Sequence, residues 1–177
     1  MKNLKTLPKI HLACPCGDLE FIMNYILVTK KDIVANDGRI LAIHKTEEIF
    51  NEDFIEQMPE RFLIHYKIWR EMCKKHCFID FEKGMIKVKY SCHTAFYPIE
   101  LEANINNYPA YQIIFPKDIK EVNKIGINSS LLKKLSIVMG TSNLKLIFYG
   151  ENKGIIAEGK NSDYNAKGLI MPLMIND

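Results

Sequence analysis

No apolar run in this chain approaches the roughly 20 residues that a helix needs to cross a bilayer, and the opening MKNLKTLPKIHLACPCG has no uninterrupted apolar core of the kind a secretory signal carries. A soluble cytoplasmic protein is expected, with no membrane partner. Low-complexity tracts are missing, as are linkers rich in Pro, Gly or Ser, so neither a disordered tail nor a string of tethered modules is indicated. A regular disulfide framework is not indicated, because the five cysteines are odd in number and irregularly spaced. Free thiols in a reducing compartment are the better reading. Strong charge of one sign is also lacking: the formal net charge is +3. Any contact with nucleic acid must therefore come from where the lysines sit and not from bulk charge. No Gly-rich phosphate loop and no nucleophile elbow accompanies any Cys, His or Ser, which argues against an enzyme and against a bound cofactor.

What is present is a well-patterned globular sequence, 47% hydrophobic and 25% charged over 177 residues, enough for one good core. Between Leu19 and His44, apolar β-branched runs are punctuated by Lys30-Lys31-Asp32 and Asn36-Asp37-Gly38, the pattern of a β-meander with tight turns. From Pro59 to Cys77 the spacing becomes helical, with Phe62, Leu63, Tyr66, Trp69, Met72 and Cys73 on one broad face. Strand patterns follow in FIDFEKGMIKVKY, with Lys83-Gly84 at the turn, and in FYPIELEANI. After Pro116 come a short strand at Lys124 to Ile127 and a helix starting near Asn128-Ser129-Ser130 and ending at Gly140. Three further strand-like runs, LKLIFYG, GIIAEGK and KGLIMPLMI, complete the chain. A unit of strand, helix and three strands thus occurs twice, at about 61–115 and 124–175, which predicts an α+β protein with antiparallel sheets and helices on one face. The expected division is 1–116, the meander plus a first unit, and 117–177, a second unit.

Three separated stretches carry a resemblance. They are the strand–turn–strand through Asn36-Asp37-Gly38-Arg39-Ile40-Leu41-Ala42; the segment Asn107-Tyr108-Pro109-Ala110-Tyr111 through Phe115-Pro116; and IGINSSLLKKLSIVMG with the ending Leu169-Ile170-Met171-Pro172-Leu173. In that order they resemble the bacterial DNA sliding clamp, the beta subunit of DNA polymerase III. The family's His-Arg pair at the first stretch is Arg39-Ile40 here, and the aspartate of the second is Ala110. The resemblance covers the end of the family's middle domain joined to the end of its last one.

That resemblance implies a DNA clamp-like fold and a processivity factor that binds linear motifs of DNA polymerase or repair proteins. The peptide pocket would be lined by Gly38, Arg39, Ile40, Leu41, Pro109, Ile114, Met171, Pro172 and Leu173, unless the same residues simply fill a core between subdomains. It also implies sequence-independent contact with duplex DNA through Lys67, Arg70, Lys74, Lys75, Lys133 and Lys134, whose alternative is an ordinary solvated helix face. A ring requires a homo-oligomer closed through strand edges. A clamp-derived adaptor or decoy of phage or mobile-element type, keeping the pocket without encircling DNA, is the second functional reading. Cys14, Cys16, Cys73, His76, Cys77, Cys92 and His93 supply enough thiol and imidazole for a zinc site if they converge, but the spacing is no recognised finger, and no metal is assigned.

Overall fold

The computed structural model describes residues 7–15, 21–73, 78–100, 105–118, 122, 124–160 and 165–173. The expected meander is present as β1 (Tyr25–Thr29), β2 (Asp32–Asn36) and β3 (Ile40–Lys45), each antiparallel to the next. Two short helices follow, α1 (Thr46–Ile49) and α2 (Glu52–Gln57). The Asn51 side chain caps α2 by accepting the Phe54 amide.

The helical spacing read from Pro59 onward does not all become helix. Residues Arg61–His65 form β4, paired antiparallel with β1 from Tyr25↔His65 to Thr29↔Arg61, and only then does α3 (Tyr66–Met72) begin. The reason lies in burial on both faces. Phe62 and Ile64 enter the core beneath the helices while Leu63 enters a second cluster on the other side, so the strand reads as a continuous apolar run. Periodicity alone does not separate such a run from a buried helix turn. In α3, Trp69 and Met72 are fully buried, and the indole N–H of Trp69 donates to the Pro8 carbonyl at 2.9 Å.

A small sheet comes next: β5 (Phe78–Glu82), β6 (Met85–Lys89) and β7 (Thr94–Pro98), in that order and antiparallel. Lys83 and Gly84 both have positive φ, 54° and 74°, which is the two-residue hairpin turn expected from Lys-Gly. The expected strand FYPIELEANI lies partly outside the described residues, at 101–104. Helix α4 (Ser129–Val138) starts where expected, the Asn128 Oδ1 accepting from the amides of Ser130 and Leu131. The chain then runs through β8 (Leu144–Ile147), β9 (Ile155–Lys160) and β10 (Asn165–Ile170). Of the strand expected at Lys124 to Ile127, an isolated bridge between Gly126 and Leu173 is formed.

Strand, helix and three strands therefore recur, as β4-α3-β5-β6-β7 and as the Gly126 bridge followed by α4-β8-β9-β10. The meander and the last three strands share one seven-stranded antiparallel sheet, ordered β4-β1-β2-β3-β10-β9-β8. The buried residues of all four helices pack into a single core on one face. On the opposite face Tyr25, Leu27, Val34, Leu41, Ile43, Leu63 and Leu169 meet Ile105, Tyr108 and Tyr111. Among the described residues, no helix is long and apolar enough to cross a membrane.

The junction of the two halves is the β3–β10 ladder, running from Ala166↔His44 to Ile170↔Ile40. Helix α4 can close onto it because position 168 carries no side chain. A Cβ there would sit 2.8 Å from the Leu41 carbonyl oxygen and 2.9 Å from Leu135 Cδ1. The last four carbonyls of α4, which have no partner within the helix proper, are each satisfied. Leu135, Ile137 and Ser136 accept from the amides of Met139, Gly140 and Thr141, and Val138 accepts from Nε2 of the fully buried His44 at 3.0 Å. Burial holds the His44 pKa down to about 4, only partly offset by that hydrogen bond and by Glu48. The ring is neutral and carries its proton on Nε2.

Candidate functional site

The β2–β3 turn is fixed by its own side chains. Asn36 Oδ1 accepts the Gly38 amide at 2.7 Å, and Gly38 has φ +81°, a conformation that glycine adopts without strain. Asp37 Oδ1 accepts the amides of Arg39 and Ile40 at 2.9 and 2.8 Å, and the Asp37 amide donates to the Ile40 carbonyl. The second carboxylate oxygen of Asp37 takes Lys134 Nζ from α4 at 2.6 Å.

The segment Met171–Leu173 runs beside this turn. One step past the β3–β10 ladder, the Met171 amide donates to the Arg39 carbonyl at 2.9 Å. Pro172 has no amide to give, and Leu173 bridges instead to Gly126 at 2.8 Å. Met171 and Leu173 are 42% and 49% exposed, so their apolar side chains belong to the surface.

The second stretch, the segment through Tyr108 and Tyr111, crosses the sheet on the face opposite the helices. The Tyr108 hydroxyl donates to the Val34 carbonyl and that of Tyr111 to Asp32 Oδ2, both at 3.1 Å, which anchors the segment on β2. Burial pushes the Tyr111 pKa up to about 12, with the nearby Asp32 adding to it, and burial raises Tyr108 well above the usual phenol value. Both phenols stay protonated and act as donors. Beyond Tyr111 the 3-10 turn Tyr111–Ile114 leads to Phe115, whose ring lies 4.8 Å from Lys167 Nζ on β10. The segment therefore spans from β2 to β10 across β3. It leaves Ile113 and Ile114 exposed, Ile113 by 81%.

The residues expected to line a pocket fall into three groups. Gly38 and Arg39 at the turn, and Met171, Pro172 and Leu173 at the chain end, run side by side, joined through the Arg39–Met171 hydrogen bond. Pro109, half-buried, and Ile114 lie on the crossing segment. Leu41 is buried directly opposite Leu169 in the ladder and belongs to the floor beneath that segment, whereas Ile40 enters the helix-side core and offers only its backbone. Sequence reasoning did not single out Tyr108 and Tyr111 as anchors, nor Ile113. Two tyrosines at i and i+3 around a proline were the available signal, since buried phenols need acceptors.

On the helix side, Lys67 and Arg70 of α3 are exposed away from Trp69 and Met72, and Lys133 of α4 is exposed. Both helices pack against the 3-10 turn Ile10–Ala13. Lys134 is turned to Asp37, while Lys74 and Lys75 lie outside the described residues. The described thiols and imidazoles do not gather into one cluster. Cys14 is buried, Cys73 Sγ donates to the Pro8 carbonyl and lies 3.8 Å from His11 Nδ1, and Cys92 lies 3.3 Å from its neighbour His93 beside the β6–β7 turn. Cys16, His76 and Cys77 lie outside the described residues. Among the described residues no group of three or more His, Cys, Asp or Glu side chains could hold a metal ion.

Comparison with known proteins gives a consistent structural answer. No protein-family model matches the chain, and no curated protein matches its sequence. Among solved structures, the Helicobacter pylori beta clamp bound to a DNA ligase peptide superposes with a TM-score of 0.68 at 14% identity, covering 94% of this chain and 62% of that one. The DNA polymerase III subunit beta of Pseudomonas aeruginosa gives 0.62 at 14% identity, covering 93% and 62%. The sliding clamp of Bacillus subtilis gives 0.61 at 12% identity, covering 96% and 64%. The chain thus spans less than two thirds of the length of these clamps, and over that span it has the α+β fold of a bacterial DNA sliding clamp.

Proposed function

We propose that this protein is a non-catalytic, clamp-like factor of DNA replication or repair in the cytoplasm, binding linear peptide motifs of polymerase or repair partners at the seam of β3 and β10. The observation that carries this reading is the convergence at that seam. The Asp37-Gly38 turn and the Met171–Leu173 segment are joined by a backbone hydrogen bond, and Met171 and Leu173 expose their apolar side chains there. Exposed Met and Leu beside the turn suit a short peptide with apolar anchors, and Met adapts its shape to different ones. The similar Helicobacter pylori clamp, crystallised with a DNA ligase peptide, supports the same use of the fold.

In this reading Lys67, Arg70 and Lys133 face duplex DNA and contact phosphates without reading bases, and a homo-oligomer closes through the outer edges of the sheet, where β8 is the last strand. The test is a fluorescence titration with that ligase peptide. Binding is expected for the wild type and a loss of tenfold or more for Met171→Ala with Leu173→Ala, on the order of the cost of truncating two anchor side chains. Absence of wild-type binding would sink the peptide assignment. Light scattering with and without circular DNA tests assembly, and a Lys67→Glu, Arg70→Glu variant that binds duplex DNA as tightly as the wild type at low salt would remove the helix face.

A further inference from the structure

Among the described cations of the helix side, Lys134 stands apart. Its ammonium group is bonded to a carboxylate, and its side chain is only 29% exposed, against 9% for Asp37. The carboxylate is fully used: one oxygen holds the amides of Arg39 and Ile40, the other holds Lys134. From Arg39 the connection continues through its carbonyl to the Met171 amide. A continuous chain of hydrogen bonds therefore runs from α4, through the Asp37 side chain and the backbone of the turn, into the segment that carries Met171 and Leu173.

We infer that Lys134 is a positioning residue for the peptide groove, a strut between α4 and the turn, and not a phosphate contact. This rests on the peptide-binding reading for its functional consequence, but the strut itself is testable without any peptide. An amide held by a carboxylate gives a charge-assisted bond, stronger than a neutral one. The carboxylate keeps its aim only while its other oxygen is also held. Removing the Lys134 charge frees Asp37 to rotate toward water, and the Arg39 and Ile40 amides lose their acceptor. The turn then loses its fixed relation to Met171.

The test compares the full-length wild type with Lys134→Met, which keeps the apolar stem, and Lys134→Arg, which restores the charge. Hydrogen exchange at the Arg39 and Ile40 amides is expected to quicken about tenfold or more in Lys134→Met and to return toward the wild-type rate in Lys134→Arg, in line with the loss of one charge-assisted bond. Affinity for the fluorescein-labelled ligase peptide is expected to fall about fivefold in Lys134→Met and to recover in Lys134→Arg. The salt dependence of duplex DNA binding is expected to stay as in the wild type, whereas Lys133→Met lowers the slope by about one counterion. Unchanged exchange at both amides overturns the strut. Faster exchange with unchanged peptide affinity overturns its positioning role, and a salt slope lowered by Lys134→Met makes Lys134 a phosphate contact after all. If the wild type binds no peptide, the proposed function fails, while the exchange measurement still decides the strut.

Discussion

Acidification should destabilise this protein through His44, by an amount that follows from its position. The ring is fully buried, and its Nε2–H donates to the carbonyl of Val138, the last residue of α4. Its pKa is lowered from 6.5 to about 4 in the folded state, mainly by burial. Between those values the unfolded chain binds a proton that the folded chain refuses, so stability rises with pH there and is lost as pH falls below the unfolded value. For one group with these two pKa values the loss between pH 7 and pH 5 is about 2 kcal/mol, approaching about 3 kcal/mol near pH 4. The assay is urea unfolding at half-unit pH steps for the wild type and for His44→Gln, whose amide can still donate to Val138 without titrating. His11, also lowered to about 4, and the carboxylates titrate in both proteins, so the difference between the two profiles isolates His44. Profiles that run parallel from pH 7 to pH 4.5 would refute a buried neutral imidazole at this position.

Two further substitutions probe the seam. Gly168→Ala puts a methyl group against the Leu41 carbonyl and Leu135, forcing α4 away from the β3–β10 ladder. Urea or thermal unfolding is expected to show a loss of about 1–3 kcal/mol, and a stabilised variant would contradict the packing. Tyr111→Phe removes the hydroxyl that reaches Asp32. A loss of about 1 kcal/mol is expected, together with faster proteolytic cleavage of the crossing segment near Ile113, and an unchanged cleavage rate would show that the tyrosine is no anchor.

The two sequence signals that transferred best were turns and caps, because each is decided by one or two residues. Asn36-Asp37-Gly38 and Lys83-Gly84 supply positive φ or side-chain acceptors wherever they occur, and Asn128 caps whatever helix follows it. Arg61–His65 was misread as helix because its conformation is dictated by β1, more than 30 positions earlier, and not by its own spacing. The candidate site was legible in part. The three stretches were visible as motifs, yet which face each side chain takes depends on register, and the period-2 alternation of β3 sends Ile40 to the helices and Leu41 to the crossing segment. The role of Lys134 was hidden for a similar reason: a lysine on a helix face looks solvated until the turn it meets, nearly a hundred residues away in sequence, is folded beside it.

Pro172 shows how the chain end can be held and exposed at once. In an extended segment the amides of alternate residues point the same way, so Met171 and Leu173 both donate toward one side, to Arg39 and then to Gly126. The missing N–H of Pro172 falls on the other side, where no ladder bond is forfeited, and its fixed φ narrows the conformations of the residues that present the two apolar side chains. Pro172→Ala should therefore act mainly through entropy. Stability is expected to fall by only about 0.4–1 kcal/mol. Affinity for the ligase peptide is expected to fall about two- to fivefold, because a looser segment must be ordered on binding. Calorimetry separates this from a lost contact: an entropic origin predicts an unchanged or more favourable binding enthalpy with a less favourable entropy. A weaker enthalpy with unchanged entropy would mean that the proline ring itself touches the peptide and that its stiffness is incidental.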